Sequence, residues 1–176
     1  KYETNDDYFS NMKTEKQFYW LGWMYSDGNI GRTQYSYYVK LQLSIKQKEI
    51  VEDFHADINT NKPVNYPDTY LNGKKYKTAK MEIYSKKMFD DLIALGVTPK
   101  KSLTIEHPSD EIIPDKFFPS FLLGYIEGDG SPYLDIKKKS MALRMTILGT
   151  KDICLWLKEK ISKIYDVELI GVHKHK

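Results

Sequence analysis

From Tyr37 to Ile45 the chain alternates without a break: Tyr37, Val39, Leu41, Leu43 and Ile45 point one way, and Tyr38, Lys40, Gln42 and Ser44 point the other. A period of two predicts a half-buried strand, with one face on helices and the other toward solvent or a ligand. The alternation returns at Thr78–Ile83, where Ala79, Met81 and Ile83 oppose Thr78, Lys80 and Glu82. It returns again where Met141, Leu143, Met145 and Ile147 oppose Ala142, Arg144 and Thr146. Between these strands the period changes to that of a helix. Thr14 and Gln17 form a capping box for a helix over about Glu15–Ser26, and Pro119 suits the first turn of another over about Pro119–Gly128. Amphipathic helices are predicted over Lys48–Ile58, over Lys151–Tyr165 with Thr150 as N-cap, and over Ser85–Leu95 with Gly96 just past its end. Asn72-Gly73 marks the turn of a hairpin, roughly Val64–Tyr70 and Lys75–Tyr84.

These elements occur twice. WLGWMYSDGN (Trp20–Asn29) answers LLGYIEGDGS (Leu122–Ser131), so Gly22 matches Gly124 and Asp27 matches Asp129 at an offset of 102 residues. The same offset lays Lys40–Ile45 on Ala142–Ile147. With one inserted residue it lays Ile50, Phe54 and Ile58 on Ile153, Leu157 and Ile161. Three blocks in one order identify a duplication. The fold class is therefore α+β: two pseudo-symmetric αββαββα repeats, residues 1–103 and 104–176, joined through a Pro-containing stretch at Val97–Phe118. The first repeat spans 69 residues from Asp27 to Gly96, and the second stops 22 residues short of that span, in a strand predicted near Val167–Val172.

Composition narrows the class without naming a partner. Of the 176 residues, 41% are hydrophobic and 29% charged, as in a folded soluble protein. The net charge of +3 is too small to announce a nucleic-acid binder, yet residues 37–105 hold 12 basic against 8 acidic side chains. Only Arg32 and Arg144 among the 27 basic residues are Arg, a bias expected of an AT-rich phage, low-GC bacterial or organellar genome. The lone Cys154 excludes an internal disulfide and a Cys-based zinc site and suits a reducing, intracellular compartment. No apolar run approaches a membrane span and no signal peptide is visible, while a start at Lys1 is expected of a processed or trimmed product.

The two helices ahead of Asp-Gly are apolar nearly all round, so both should be buried on several sides. A mid-helix Gly costs about 1 kcal/mol against Ala and is tolerated where another backbone comes close. Gly22 and Gly124 thus predict that the helices pack on each other about a pseudo-twofold axis, bringing Asp27 and Asp129 together. Carboxylates at helix C-termini oppose the dipole, and adjacent ones repel. Divalent cations such as Mg²⁺ relieve both penalties, and paired carboxylates holding such ions serve phosphodiester cleavage. Asp-Gly alone also caps a helix and starts a turn.

WLGWMYSDG and LLGYIEGDG resemble the two signature motifs of the LAGLIDADG homing endonucleases in their single-chain form, and LGVTPKKS (Leu95–Ser102) resembles the family's end-of-repeat sequence. The resemblance implies a site-specific double-stranded DNA endonuclease with divalent metal, typically from an intron-encoded mobile element. It implies that Asp27 and Asp129 bind the catalytic ions with the peptide oxygens of Ser26 and Gly128, and that four antiparallel strands per repeat form a saddle in the DNA major groove. It further implies that Lys101, or its neighbour Lys100, stands near the reacting phosphate, with Lys46 a weaker candidate for that pocket. The polar strand faces match a saddle that reads bases and holds phosphates: Tyr38, Lys40, Gln42, Ser44, Tyr76, Thr78, Lys80, Tyr133, Asp135, Arg144 and Thr146. Lys74, Lys75 and Lys77, with Lys137, Lys138 and Lys139, are placed to reach phosphates at hairpin tips.

The motifs depart from the family at Tyr25, where an acidic residue is common, while Glu127 fills the matching place in the second copy. The expected assembly is a monomer with internal pseudo-twofold symmetry, bound to DNA and to no membrane. Two other functions fit the same fold: a catalytically silent DNA-binding regulator, which the short second copy favours, and an intron maturase that binds RNA. The retained Asp27/Asp129 pair favours the enzyme.

Overall fold

The first helix, α1 (Glu15–Tyr25), begins where its capping box lies: Thr14 Oγ1 accepts from the Gln17 amide at 3.3 Å, and Gln17 Oε1 accepts from the Thr14 amide at 3.1 Å. The structure is a computed structural model that describes residues 2–137, 140–167 and 171–174. After α1 come β1 (Asn29–Arg32), β2 (Tyr37–Ser44), α2 (Lys48–Asp57), β3 (Asp68–Leu71), β4 (Lys74–Ile83) and α3 (Lys86–Ala94). The second half runs α4 (Phe118–Asp129), β5 (Gly130–Lys137), β6 (Ser140–Ile147) and α5 (Lys151–Tyr165). The order α-β-β-α recurs, as the 102-residue offset predicts. No helix among the described residues is long and apolar enough to cross a membrane.

The first four strands form one antiparallel sheet in the order β1-β2-β4-β3. Register puts Val39 opposite Ile83, Leu41 opposite Met81 and Leu43 opposite Ala79. All six are buried, along with Val51 and Phe54 of α2 and Met88 and Leu92 of α3, so the alternation read from the sequence marks the core-facing side. The opposite side carries Lys40, Gln42, Ser44, Thr78, Lys80 and Glu82. Asn72 and Gly73 both adopt positive φ, 50° and 74°, which matches a tight hairpin turn to the strand twist. The strand before that turn is shorter than predicted. Pro67 has no amide to donate to a ladder, and upstream of it only Asn65 bridges to Lys80.

In the second half the apolar alternation meets no cover. Met141, Leu143 and Met145 are 72%, 79% and 50% exposed, whereas their repeat equivalents Val39, Leu41 and Leu43 are 0%, 0% and 6% exposed. The expectation that this face packs on helices is corrected here for a physical reason. Among the described residues β6 has no partner equivalent to β4 and no helix equivalent to α3, and α5 turns instead toward α4, where the Trp156 ring meets Phe118 and Phe121. Residues 168–170 of the strand predicted near Val167–Val172 lie outside the described residues, and its other residues are not in a strand.

The linker is held against the second half by polar anchors. Lys160 of α5, 5% exposed, pairs with Asp110 at 2.9 Å and Asp115 at 2.6 Å, Asp152 accepts from the His107 amide at 2.6 Å, and Thr150 Oγ1 donates to the Ile105 carbonyl at 2.8 Å.

Candidate active site and nucleic-acid interface

Helices α1 and α4 touch backbone to backbone. A Cβ added at Gly22 would lie 2.2 Å from the Phe121 carbonyl oxygen, and one at Gly124 would lie 2.0 Å from that of Tyr19, so only a hydrogen fits at either position. The close approach continues to the C-terminal ends. Ser26 caps α1 with its hydroxyl 3.3 Å from the Gly22 and Trp23 carbonyls. A Cβ at Gly128 would sit 2.1 Å from that hydroxyl and 3.3 Å from Asp27 Oδ2. Asp27 follows the cap of α1 and Asp129 is the last residue of α4, so the crossing brings both carboxylates to one place.

Their electrostatics reflect that proximity. Burial raises the Asp27 carboxyl above the usual carboxylate range, and the Lys101 ammonium works against the shift. Asp129 is pushed up to about 6, first by burial and then by the negative charge of Asp27, with Lys101 again opposing. The Asp27 charge thus favours the protonated form of its neighbour. Lys101 is 8% exposed, and burial lowers its pKa while the two aspartates pull it back up. Its Nζ donates to the Ser26 carbonyl.

Of the two lysines offered by the sequence, the fold selects Lys101. Lys100 takes a left-handed conformation, φ 57° and ψ 33°, that opens the short 3₁₀ turn Lys101–Leu103, and its own side chain is exposed. Lys46 is exposed in the 3₁₀ turn after β2. The carbonyl of Ser26, expected to face a metal, accepts from Lys101 and keeps a second lone pair. The residue set still fits a hard divalent cation. The donors are all oxygens, and the Asp27 charge acts on the partly buried Asp129 carboxyl, an excess of negative charge that a cation would offset. No cluster of three or more His, Cys, Asp or Glu side chains that could hold a metal exists among the described residues. Tyr25, the departure from the motif, is buried and donates from its hydroxyl to the Leu95 carbonyl at 2.8 Å, tying α1 to the end of its repeat. Glu127 accepts from the Tyr19 hydroxyl across the helix pair.

Asp27 opens onto the polar face of the sheet. A concave cleft of about 410 Å³ is lined by Asp27 together with Lys40, Gln42, Ser44 and Thr78, four residues singled out by strand alternation. Asn29 and Thr69 also line it and were missed. The signal for Asn29 was its place beside the buried Ile30, one strand position away. Thr69 lies in a four-residue strand too short to show a period.

The other predicted contacts divide. Tyr38 lies under the Lys40 ammonium, 5.9 Å from Nζ to ring centroid. Lys80 pairs with Glu82 at 3.6 Å, and Lys75 pairs with Asp68 at 2.8 Å. Tyr76, Lys74 and Lys77 are exposed near the hairpin turn. In the second sheet Arg144 Nε donates to Asp135 Oδ2 at 2.7 Å, Tyr133 pairs with Arg144 in register, and Thr146 is exposed. Lys137 ends β5, and Lys138 and Lys139 lie outside the described residues.

No protein-family model matches the chain, and no curated protein matches it. Solved structures do. The homing endonuclease I-WcaI, bound to its DNA recognition sequence, superposes with a TM-score of 0.60 at 16% identity, over 91% of this chain and 73% of that one. The LAGLIDADG homing endonuclease I-GzeII, in complex with its DNA target, superposes with a TM-score of 0.51 at 12% identity, over 83% of this chain and 70% of that one.

Proposed function

Because the chain has the fold of the LAGLIDADG homing endonucleases, we propose that it is a site-specific double-stranded DNA endonuclease. The observation that carries this reading is the glycine-to-glycine crossing of α1 and α4, at whose ends the Asp27 charge acts on Asp129 while Asp27 lines the cleft on the polar strand face. Asp27 and Asp129, with the carbonyls of Ser26 and Gly128, would hold Mg²⁺ or another divalent cation. Such an ion supplies charge stabilisation at the attacking and leaving oxygens of a phosphodiester and lowers the pKa of water.

The chain's own groups do the rest. The two carboxylates orient the site and, once ionised, bear its negative charge. Lys101, held by the Ser26 carbonyl within the field of both aspartates, is the cation placed to meet charge developing on phosphate oxygens. Lys40 and the hairpin lysines contact phosphates, and Gln42, Ser44, Thr78, Lys80, Arg144 and Thr146 face base edges. The chain acts as a monomer whose repeats, 1–103 and 104–176, each supply one aspartate.

Incubation with Mg²⁺ and a plasmid library of randomised inserts, followed by sequencing of linearised ends, tests the proposal. The unchanged chain should cut a defined sequence, and Asp27→Asn and Asp129→Asn should bind that sequence without cutting. Sequence-specific binding by the unchanged chain with no Mg²⁺-dependent cleavage would overturn the enzyme reading. It would leave a DNA-binding regulator, which the uncovered second sheet favours.

A further inference from the structure

We propose that Gln42 reads DNA purely as a hydrogen-bond acceptor and so selects adenine or cytosine at the base it faces. The inference rests on the DNA-saddle reading above and names part of its specificity. It follows from where each proton in a four-residue network must go. Thr78 Oγ1 lies 3.1 Å from the Pro67 carbonyl oxygen, which can only accept, so the Thr78 hydroxyl donates there. With that proton committed, Thr78 Oγ1 can only accept. Gln42 Nε2 stands 3.0 Å from it, and only the NH₂ end of the amide can meet a lone pair, which settles which way the amide points.

Thr69 Oγ1 is 3.3 Å from Thr78 Oγ1 and must be the donor of that pair. Its own lone pairs then accept the second Gln42 amide proton, at 3.2 Å. Both Nε2 protons are therefore held by the protein. Gln42 Oε1 makes no hydrogen bond among the described residues, and the side chain lines the same cleft as Asp27.

A free glutamine commonly reads adenine through two bonds, accepting from N6 and donating to N7. Gln42 has no proton left for N7. What remains is one acceptor, which meets the amino groups of adenine N6 and cytosine N4 equally well and opposes the acceptors of guanine and thymine. The expected signature is a position degenerate between A and C, preferred about fivefold over G and T, the worth of one net hydrogen bond.

Selection from a randomised duplex library, with binding rather than cutting as the readout, tests this on the full chain. The unchanged protein should show one A/C position. Gln42→Leu should lose the preference there alone. Thr78→Val, which frees one amide proton, should narrow the position to adenine. Adenine alone in the unchanged protein, or a profile unaltered by Gln42→Leu beside enrichment elsewhere, overturns the proposal and leaves the saddle reading standing. No enrichment at any position overturns the saddle reading and this inference with it. The Gln42 side-chain amide protons supply a readout independent of DNA. They should exchange slowly with solvent and faster in Thr78→Val, and fast exchange in the unchanged chain overturns the proposal.

Discussion

Replacing Gly124 with alanine sets two opposing effects against each other, and the structure decides between them. A mid-helix Gly→Ala change gains about 1 kcal/mol of helix propensity. Against that, the new methyl carbon would sit 2.0 Å from the Tyr19 carbonyl oxygen, where ordinary contact begins at 3.4 Å. The blocking atom is backbone in a buried helix and cannot rotate away, so α1 and α4 must part by roughly the missing 1.4 Å. Overpacking of this kind costs about 1–3 kcal/mol or more, so the net effect is destabilising. Parting the helices also parts Asp27 from Asp129, and a misplacement near 1 Å lowers a rate on the order of a hundredfold. Urea denaturation of Gly124→Ala and Gly22→Ala, beside Leu123→Ala on the exposed side of α4, measures the first effect. Cleavage by the folded variants measures the second. The double variant should lose less than the sum of the singles, because the helices separate only once. A Gly124→Ala protein more stable than the parent by about 1 kcal/mol would refute the crossing geometry, since propensity alone would then have acted.

Two further predictions follow from burial and charge. Leu41→Ala should cost about 2–5 kcal/mol in denaturant unfolding, and Leu143→Ala, its repeat equivalent, should stay within about 0.5 kcal/mol, because the first is fully buried and the second 79% exposed. Equal losses would mean that something covers β6 in solution. Asp129, with its folded-state pKa raised to about 6, binds its proton more tightly in the folded chain than in the unfolded one. Its contribution to stability is therefore fully present below about pH 4 and is lost as pH rises through about 6. In the presence of EDTA, Asp129→Asn should gain on the parent at pH 8 and not at pH 4, and parallel stability curves would refute the assignment.

Much of the fold was legible because its signals are local. The Thr14–Gln17 box, the positive-φ turn at Asn72-Gly73 and the alternation through β2 and β4 each depend on residues a few positions apart, where backbone geometry alone sets the pattern. The 102-residue repeat was legible as well, and with it the pairing of Asp27 with Asp129, because the two matched glycines had one economical use. Alternation also singled out Lys40, Gln42, Ser44 and Thr78 for the cleft.

The rest was settled by contacts between distant segments. Met141, Leu143 and Met145 alternate as cleanly as Val39, Leu41 and Leu43, since period specifies that a strand has two faces and not whether anything packs on one of them. Lys100 and Lys101 are equivalent as letters, and a single left-handed residue turns one outward and the other onto the Ser26 carbonyl 75 positions away. Gln42 is an ordinary polar strand residue until Thr69, Thr78 and the Pro67 carbonyl meet it in space. Sequence alone determined which elements form and that they form twice. Tertiary structure alone decided which faces are covered, which lysine enters the site and where the protons lie, because burial and hydrogen-bond partnership belong to neighbours in space and not to neighbours along the chain.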